Sequence, residues 1–238
     1  TSSWHIAQWG IQNEISAITK DLGGGSWKVG NQHASVVRNS DGSYVLEQDS
    51  RNLNTGCLFP PSEFDLLIEP NENRAYTNTI YPEGLISEFR RPTLAQIQSL
   101  HIKLTARVVI AGHGNRCGNG VDLASNLFGI ILHSDVAGRG LFYQIVLYDS
   151  RGMRFEGSKF SESLLVSDSV EVFNRDPLTP GGFTQTYDLE IADRLKKYVV
   201  DIDSNLENWK VFGAYFGSYT NGAGWIETEY SDFDITAI

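Results

Sequence analysis

The chain has 238 residues, 41% of them hydrophobic, with a formal net charge of −10 and a sequence pI near 4.9. A chain of this length buries roughly 70% or more of its unfolded surface, so neither disorder nor a stabilising staple is expected. The acidic balance without a Lys/Arg cluster argues against nucleic acid, and no apolar run approaches the roughly 20 residues of a membrane helix.

In chain order, Trp4–Leu22 has some helical periodicity ahead of the glycines at 23–25, and reads as a helix or as a strand plus loop. Beyond it the dominant period is two. Ser43–Gln48, Leu100–Ile110, Phe128–Ser134, Leu141–Tyr148, Tyr187–Ile191, Tyr198–Ile202, Trp209–Tyr215 and Glu229–Ile235 read as short strands. They are rich in Val, Ile, Tyr, Phe and Thr, which fit a pleated, half-buried surface. Thr93–Ser99 and Ile191–Lys197 are candidates for single helical turns, and Gly112–Gly120, Asp176–Gly182 and Thr220–Gly224 have loop chemistry. The expectation is one domain over residues 1–238: an all-β, two-sheet, concanavalin-like sandwich or jelly roll with few short helices.

Cys57 and Cys117 form either one disulfide or two free thiols; their spacing has no metal signature. The first ten residues lack a basic start and apolar core, and there is no Asn-x-Ser/Thr acceptor. A secreted protein would therefore be present here in its mature form.

Strand alternation nominates the functional side chains. His101, Lys103, Thr105 and Arg107 share one face of Leu100–Ile110, either a solvated face or a local anion site within an acidic protein. In Gly84–Arg91, Glu88 and Arg90 share a face and can pair. His133 is suited to proton abstraction near neutral pH. Along Trp209–Tyr219, Lys210 lies on the opposite face from Trp209, while Gly213 beside Tyr215 leaves room for a sugar ring at a phenol.

Three of these segments, in order, resemble the strand motifs of alginate-lyase-like jelly rolls, family 7 polysaccharide lyases above all. They are Tyr81-Pro82 with Ile86-Ser87-Glu88-Phe89-Arg90, then Ile131-Leu132-His133, then Gly213-Ala214-Tyr215. Ile86, Ile131 and Val211 stand where that family has Arg, Gln and Lys. The resemblance implies β-elimination on a uronate-containing polysaccharide, with no cofactor or metal and a secreted monomer. Arg90, helped by Lys103, Arg107 or Gln144, would neutralise the C6 carboxylate. His133 would be the base and Tyr215 the acid, Glu88 would hold Arg90, and His101 and Lys210 would contact substrate.

Two other readings stay open. The five Trp, ten Tyr and twelve Phe could serve a non-catalytic carbohydrate-binding module or lectin, through Trp4, Trp9, Trp27 or Trp225. A glycoside hydrolase would need two carboxylates about 5–10 Å apart; Glu227 and Glu229 alternate on one segment, as a solvated face also would.

Overall fold

The computed structural model describes residues 5–9, 15, 19–53, 57, 62–68, 92–118, 120–160, 165–169 and 183–238. Two seven-stranded sheets pack face to face. The first runs, in spatial order, through β1 (His5–Trp9), β6 (Ser62–Ile68), β13 (Trp209–Asn221), β8 (Leu123–Ser134), β9 (Arg139–Asp149), β11 (Leu165–Ser169) and β10 (Ser158–Phe160). The second runs through β12 (Phe183–Glu190), β7 (Leu100–His113), β14 (Gly224–Ala237), β5 (Tyr44–Asp49), β4 (Ala34–Arg38), β3 (Ser26–Gly30) and β2 (Thr19–Gly23). Every pairing is antiparallel except β9 with β11. This is the expected two-sheet sandwich.

The core forms where the inward sets of both sheets meet. On β7 the inward set is Ile102, Leu104, Ala106 and Val108, which pack with Phe128, Ile130 and Leu132 of β8 and Trp209, Val211, Ala214 and Phe216 of β13. Phe216 and Tyr230 lie with ring centroids 4.5 Å apart across the two sheets. The Tyr230 hydroxyl donates to the Gly217 carbonyl at 2.7 Å, so its one polar atom is satisfied inside the core. Core packing of this kind needs only the period of two and branched or aromatic side chains, which is why it could be read from sequence.

Of the two readings of Trp4–Leu22, the strand holds at both of its described ends, β1 and β2, and two local expectations are corrected. Gly24 and Gly25, at φ 62° and 85°, form the tight turn joining β2 to β3. Two left-handed residues in a row match the twist of a hairpin, so these glycines turn a strand and do not stop a helix. Tyr198–Ile202, expected as a strand, instead ends α1 (Ala192–Val199) and the turn after it. Leu195, Tyr198 and Val199 are buried at a helical spacing that a window of five residues cannot distinguish from a strand.

Cys57 and Cys117 are joined in a disulfide. Beside it the Asp122 carboxylate accepts the backbone N–H groups of Arg116, Cys117 and Ala223. Burial pushes the Asp122 pKa up, but those three donors outweigh it and hold it below the ordinary carboxylate value. No described helix is long and apolar enough to cross a membrane.

Candidate functional site

Both sheets present a second face away from the shared core, and the expected site residues divide between the two. On the outer side of the first sheet lie Leu127, Gly129, Ile131 and His133 of β8, Lys210, Phe212, Tyr215 and Tyr219 of β13, and Phe142 and Gln144 of β9. On the outer side of the second lie His101, Lys103 and Arg107 of β7, with Glu227 and Glu229 of β14 and Glu47 of β5. Arg90 and Glu88 lie outside the described residues, as does Trp4.

On the first sheet, His133 and Tyr215 share a face but do not converge. The register sets Tyr215 opposite Gly129 and Lys210 opposite His133. Those positions are four residues apart on β8, about 13 Å of strand. The Tyr215 ring lies sideways over Gly129: a Cβ there would stand 2.2 Å from Cζ and 2.6 Å from the hydroxyl oxygen. The phenol is 1% exposed, within an apolar cluster with Leu127 and Ile131. His133 is held by Asp135 at 3.2 Å, which also takes Lys210 at 3.1 Å. The hydrogen bond from Lys210, its charge and the neighbouring His133 hold the Asp135 carboxyl below its usual value. Gln144 is buried and accepts from the Tyr219 hydroxyl at 2.5 Å and the Ser167 hydroxyl at 3.3 Å.

On the second sheet the basic row of β7 meets acidic partners on both sides. His101 contacts Asp188 and Glu190, each at 3.3 Å. Lys103 is set between Asp188 and Asp234 in register, and Arg107 pairs with Glu229 at 3.3 Å. Of the two readings of this row, a solvated face or a local anion site, the first fits: it is a neutralised lattice of cross-strand charges.

One place in that lattice breaks the alternation of sign. Glu47 and Glu227 are direct cross-strand partners on β5 and β14, both on the outer face. Side chains so placed have Cβ atoms about 4.5–5.5 Å apart, and like charges there repel. The two carboxyls have unequal surroundings. Buried Ser35 donates its hydroxyl to Glu47 at 3.1 Å, and Lys28 stands at 4.0 Å. Glu227 has its pKa raised, first by partial burial and then by the charge of Glu47, against weaker pulls from Lys28 and Arg107. Among the described strands no other register sets two carboxylates opposite each other, and β8 and β13 contain no Asp or Glu at all. Among the described side chains on the outer face of the first sheet, Asp65 is fully buried opposite Gly217 and Asp149 is bound to Arg151 at 2.7 Å. Among the described residues no group of three or more His, Cys, Asp or Glu is arranged to hold a metal.

Sequence comparison matches the chain to no protein family and to no curated protein. Its fold, by contrast, is shared with solved structures along the whole chain. A metagenome-derived glycoside hydrolase family 12 endoglucanase superposes with a TM-score of 0.56 at 11% identity, over 100% of this chain and 99% of that one. The native family 12 xyloglucanase from Bacillus licheniformis gives 0.54 at 13% identity, over 100% of both chains. The Rhodothermus marinus endoglucanase gives 0.51 at 10%, over 98% of this chain and 99% of that one. The fold is a two-sheet β jelly roll, shared with these family 12 structures.

This corrects the lyase expectation. The sandwich neighbours are hydrolases and not β-eliminating lyases, so the alginate-lyase-like assignment falls while the jelly roll stands. The three short motifs misled because alternating strands of any jelly roll generate His- and Tyr-containing faces. The roles given to Arg90, His133 and Tyr215, and to Glu88, His101, Lys103, Arg107, Gln144 and Lys210 as substrate contacts, were those of a β-elimination site and lose that basis; Arg90 and Glu88 themselves lie outside the described residues. Glu47 was missed because its partner lies 180 positions away along the chain, a pairing that period-two reading of one strand cannot show. The visible half of the signal was Glu227 alternating with Glu229.

Proposed function

We propose that this chain is a glycoside hydrolase acting on a β-linked glucan, with Glu47 and Glu227 as its working carboxylates. Hydrolysis with retention needs two carboxyl groups about 5–5.5 Å apart, one ionised as the nucleophile and one protonated as the acid. The cross-strand register sets the Cβ atoms of Glu47 and Glu227 about 4.5–5.5 Å apart, within reach of that carboxyl separation, and it is the observation that carries the reading. Their surroundings divide the roles. Glu47, with Ser35 donating and Lys28 nearby, is the nucleophile that attacks the anomeric carbon. Glu227, whose pKa is raised by burial and by its anionic partner, is the acid that gives its proton to the departing glycosidic oxygen. Water then attacks the glycosyl–Glu47 ester, with Glu227 taking up the proton.

The fold supports the substrate class, since the neighbours above are by name xyloglucanases and endoglucanases. The Cys57–Cys117 disulfide supports a place outside the reducing cytosol, and a single domain and a monomer complete the proposal. The test is release of reducing ends from xyloglucan and from soluble β-1,4-glucan, with the anomer of the first product followed by NMR. Retained configuration, lost in Glu47→Gln and in Glu227→Gln, is expected. Hydrolysis that survives both substitutions, or no reducing ends from either polymer, would overturn it.

A further inference from the structure

Two residues before Glu227 on β14, and therefore on the same face about 7 Å along the strand, stands Trp225. Its cross-strand partner on β7 is Gly112. The indole occupies the space a side chain at 112 would take: a Cβ there would come within 2.5 Å of Trp225 Cζ2 and 3.0 Å of Cε2. Ring and backbone thus touch because position 112 is glycine. The Arg51 guanidinium lies over the ring, 4.7 Å from its centroid, and is held by Asp49 at 2.6 Å. The half-exposed Arg51 side chain is held to Asp49 by two prongs, Nε to Oδ1 at 3.0 Å and Nη2 to Oδ2 at 2.6 Å, while its contact with the ring is a single surface cation–π interaction. The aromatic face next to the carboxylate pair is thus shielded by a guanidinium whose hold on the ring itself is weak.

We propose that Trp225, laid against Gly112, is a stacking subsite for a neutral pyranose unit of the glucan chain, with Arg51 as its displaceable cover. It rests on the hydrolase reading for its location beside Glu47 and Glu227. An aromatic ring offers a flat apolar surface to the C–H face of a sugar, and its distance from Glu227 is comparable with one sugar unit. Neutrality follows from the surroundings. Arg51 is taken by Asp49 and Arg107 by Glu229 in a chain of net charge −10, so these cations are already matched and offer no site for an anionic sugar.

The test is binding of cellohexaose and of a xyloglucan heptasaccharide to the Glu227→Gln protein, by calorimetry and Trp fluorescence, with circular dichroism as the check on folding. Trp225→Ala is expected to weaken binding roughly three- to tenfold, and Trp225→Phe less. Gly112→Ala, which lifts the ring off the sheet, is expected to weaken binding in the same direction. Arg51→Ala is expected to tighten it by about two- to fivefold, since no cover must leave; a ring serving packing alone would give no such gain. Affinity unchanged in both folded Trp225→Ala and Gly112→Ala, weaker binding in Arg51→Ala, or no binding of either oligosaccharide overturns the subsite. A wild-type protein that binds in the expected pattern and never hydrolyses overturns the hydrolase reading alone.

Discussion

The two outer faces of the sandwich follow the same period-two alternation and have opposite characters. Behind β8 and β13, Leu127, Ile131 and Tyr215 are buried although they point away from the shared core, with Phe142, Phe212 and Tyr219 against them. Behind β7, β14 and β5, Lys28, Glu47, Arg107 and Glu229 are exposed enough to form an open lattice of ion pairs. Alternation says which side chains share a face; it does not say whether that face meets water. Residues suited to acid–base chemistry near a sugar were sought where a phenol and an imidazole alternate. The opposed carboxylates are on the other sheet.

The largest effect expected to break or confirm this contrast is on rate. Glu47→Gln or Glu227→Gln should lower glucan hydrolysis by roughly 10²–10⁴-fold, whereas His133→Ala and Tyr215→Phe should leave kcat close to that of the parent. Steady-state assays on one soluble polymer decide it, and a collapse in His133→Ala would return the chemistry to the first sheet.

Stability should sort the faces in the same way. Leu127→Ala removes a fully buried side chain and should cost about 2–5 kcal/mol. Ile110→Ala, on the open face beside Glu227 and 41% exposed, should stay within about 0.5 kcal/mol. Urea unfolding of the two variants measures both, and equal costs would remove the distinction.

Alkaline pH tests the inner side of the first sheet. Tyr143 and Tyr198 both donate to the Asp168 carboxylate, at 2.7 and 3.1 Å. Burial, and then Asp168, push the Tyr143 hydroxyl far up and that of Tyr198 to about 12. Folded pKa values above the unfolded 10.0 mean that the folded state holds these protons more tightly. Their contribution is complete below pH 10 and declines as pH rises through about 12. Thermal melting against pH should show a fall starting near 10 that is shallower in Tyr198→Phe; parallel curves would contradict it.

The smallest expected effect is on the pH profile of hydrolysis. Arg107 lowers the Glu227 pKa and neutralises Glu229. Arg107→Gln removes that cation, so the Glu227 pKa rises further. Because the acid must be protonated, the alkaline limb of kcat should move to higher pH, by less than about one unit. A limb that moves down, or stays, would mean that Glu227 is not the acid.

Much of the sandwich was legible from sequence. Ser43–Gln48 and Leu100–Ile110 declared β5 and β7 through strict alternation, because one of their faces is core and the other wet. The strands β2, β3, β4, β6, β10 and β11 were not visible: they are short, and segments such as Thr19–Gly23 carry no clean alternation. Of the candidate site, Glu227 was picked out by its alternation with Glu229, and Trp225 as one of the tryptophans a sugar-binding module could use, without the reason that makes them matter. Of the two readings of His101, Lys103 and Arg107, the solvated face agrees with the ion pairs and the anion site does not, because Asp188, Glu190 and Glu229, which neutralise the row, come from β12 and β14.

By itself the sequence determined that this chain forms a two-sheet β-sandwich, which residues of each long strand share a face, and that the chain is acidic. Those are local properties of side-chain volume, branching and charge repeated every second residue. Only the tertiary structure decided that β5 lies beside β14, that Glu47 therefore faces Glu227, and that Gly112 receives Trp225. Strand neighbours far apart in sequence are chosen by burial of the whole apolar set at once, and no single strand carries that information.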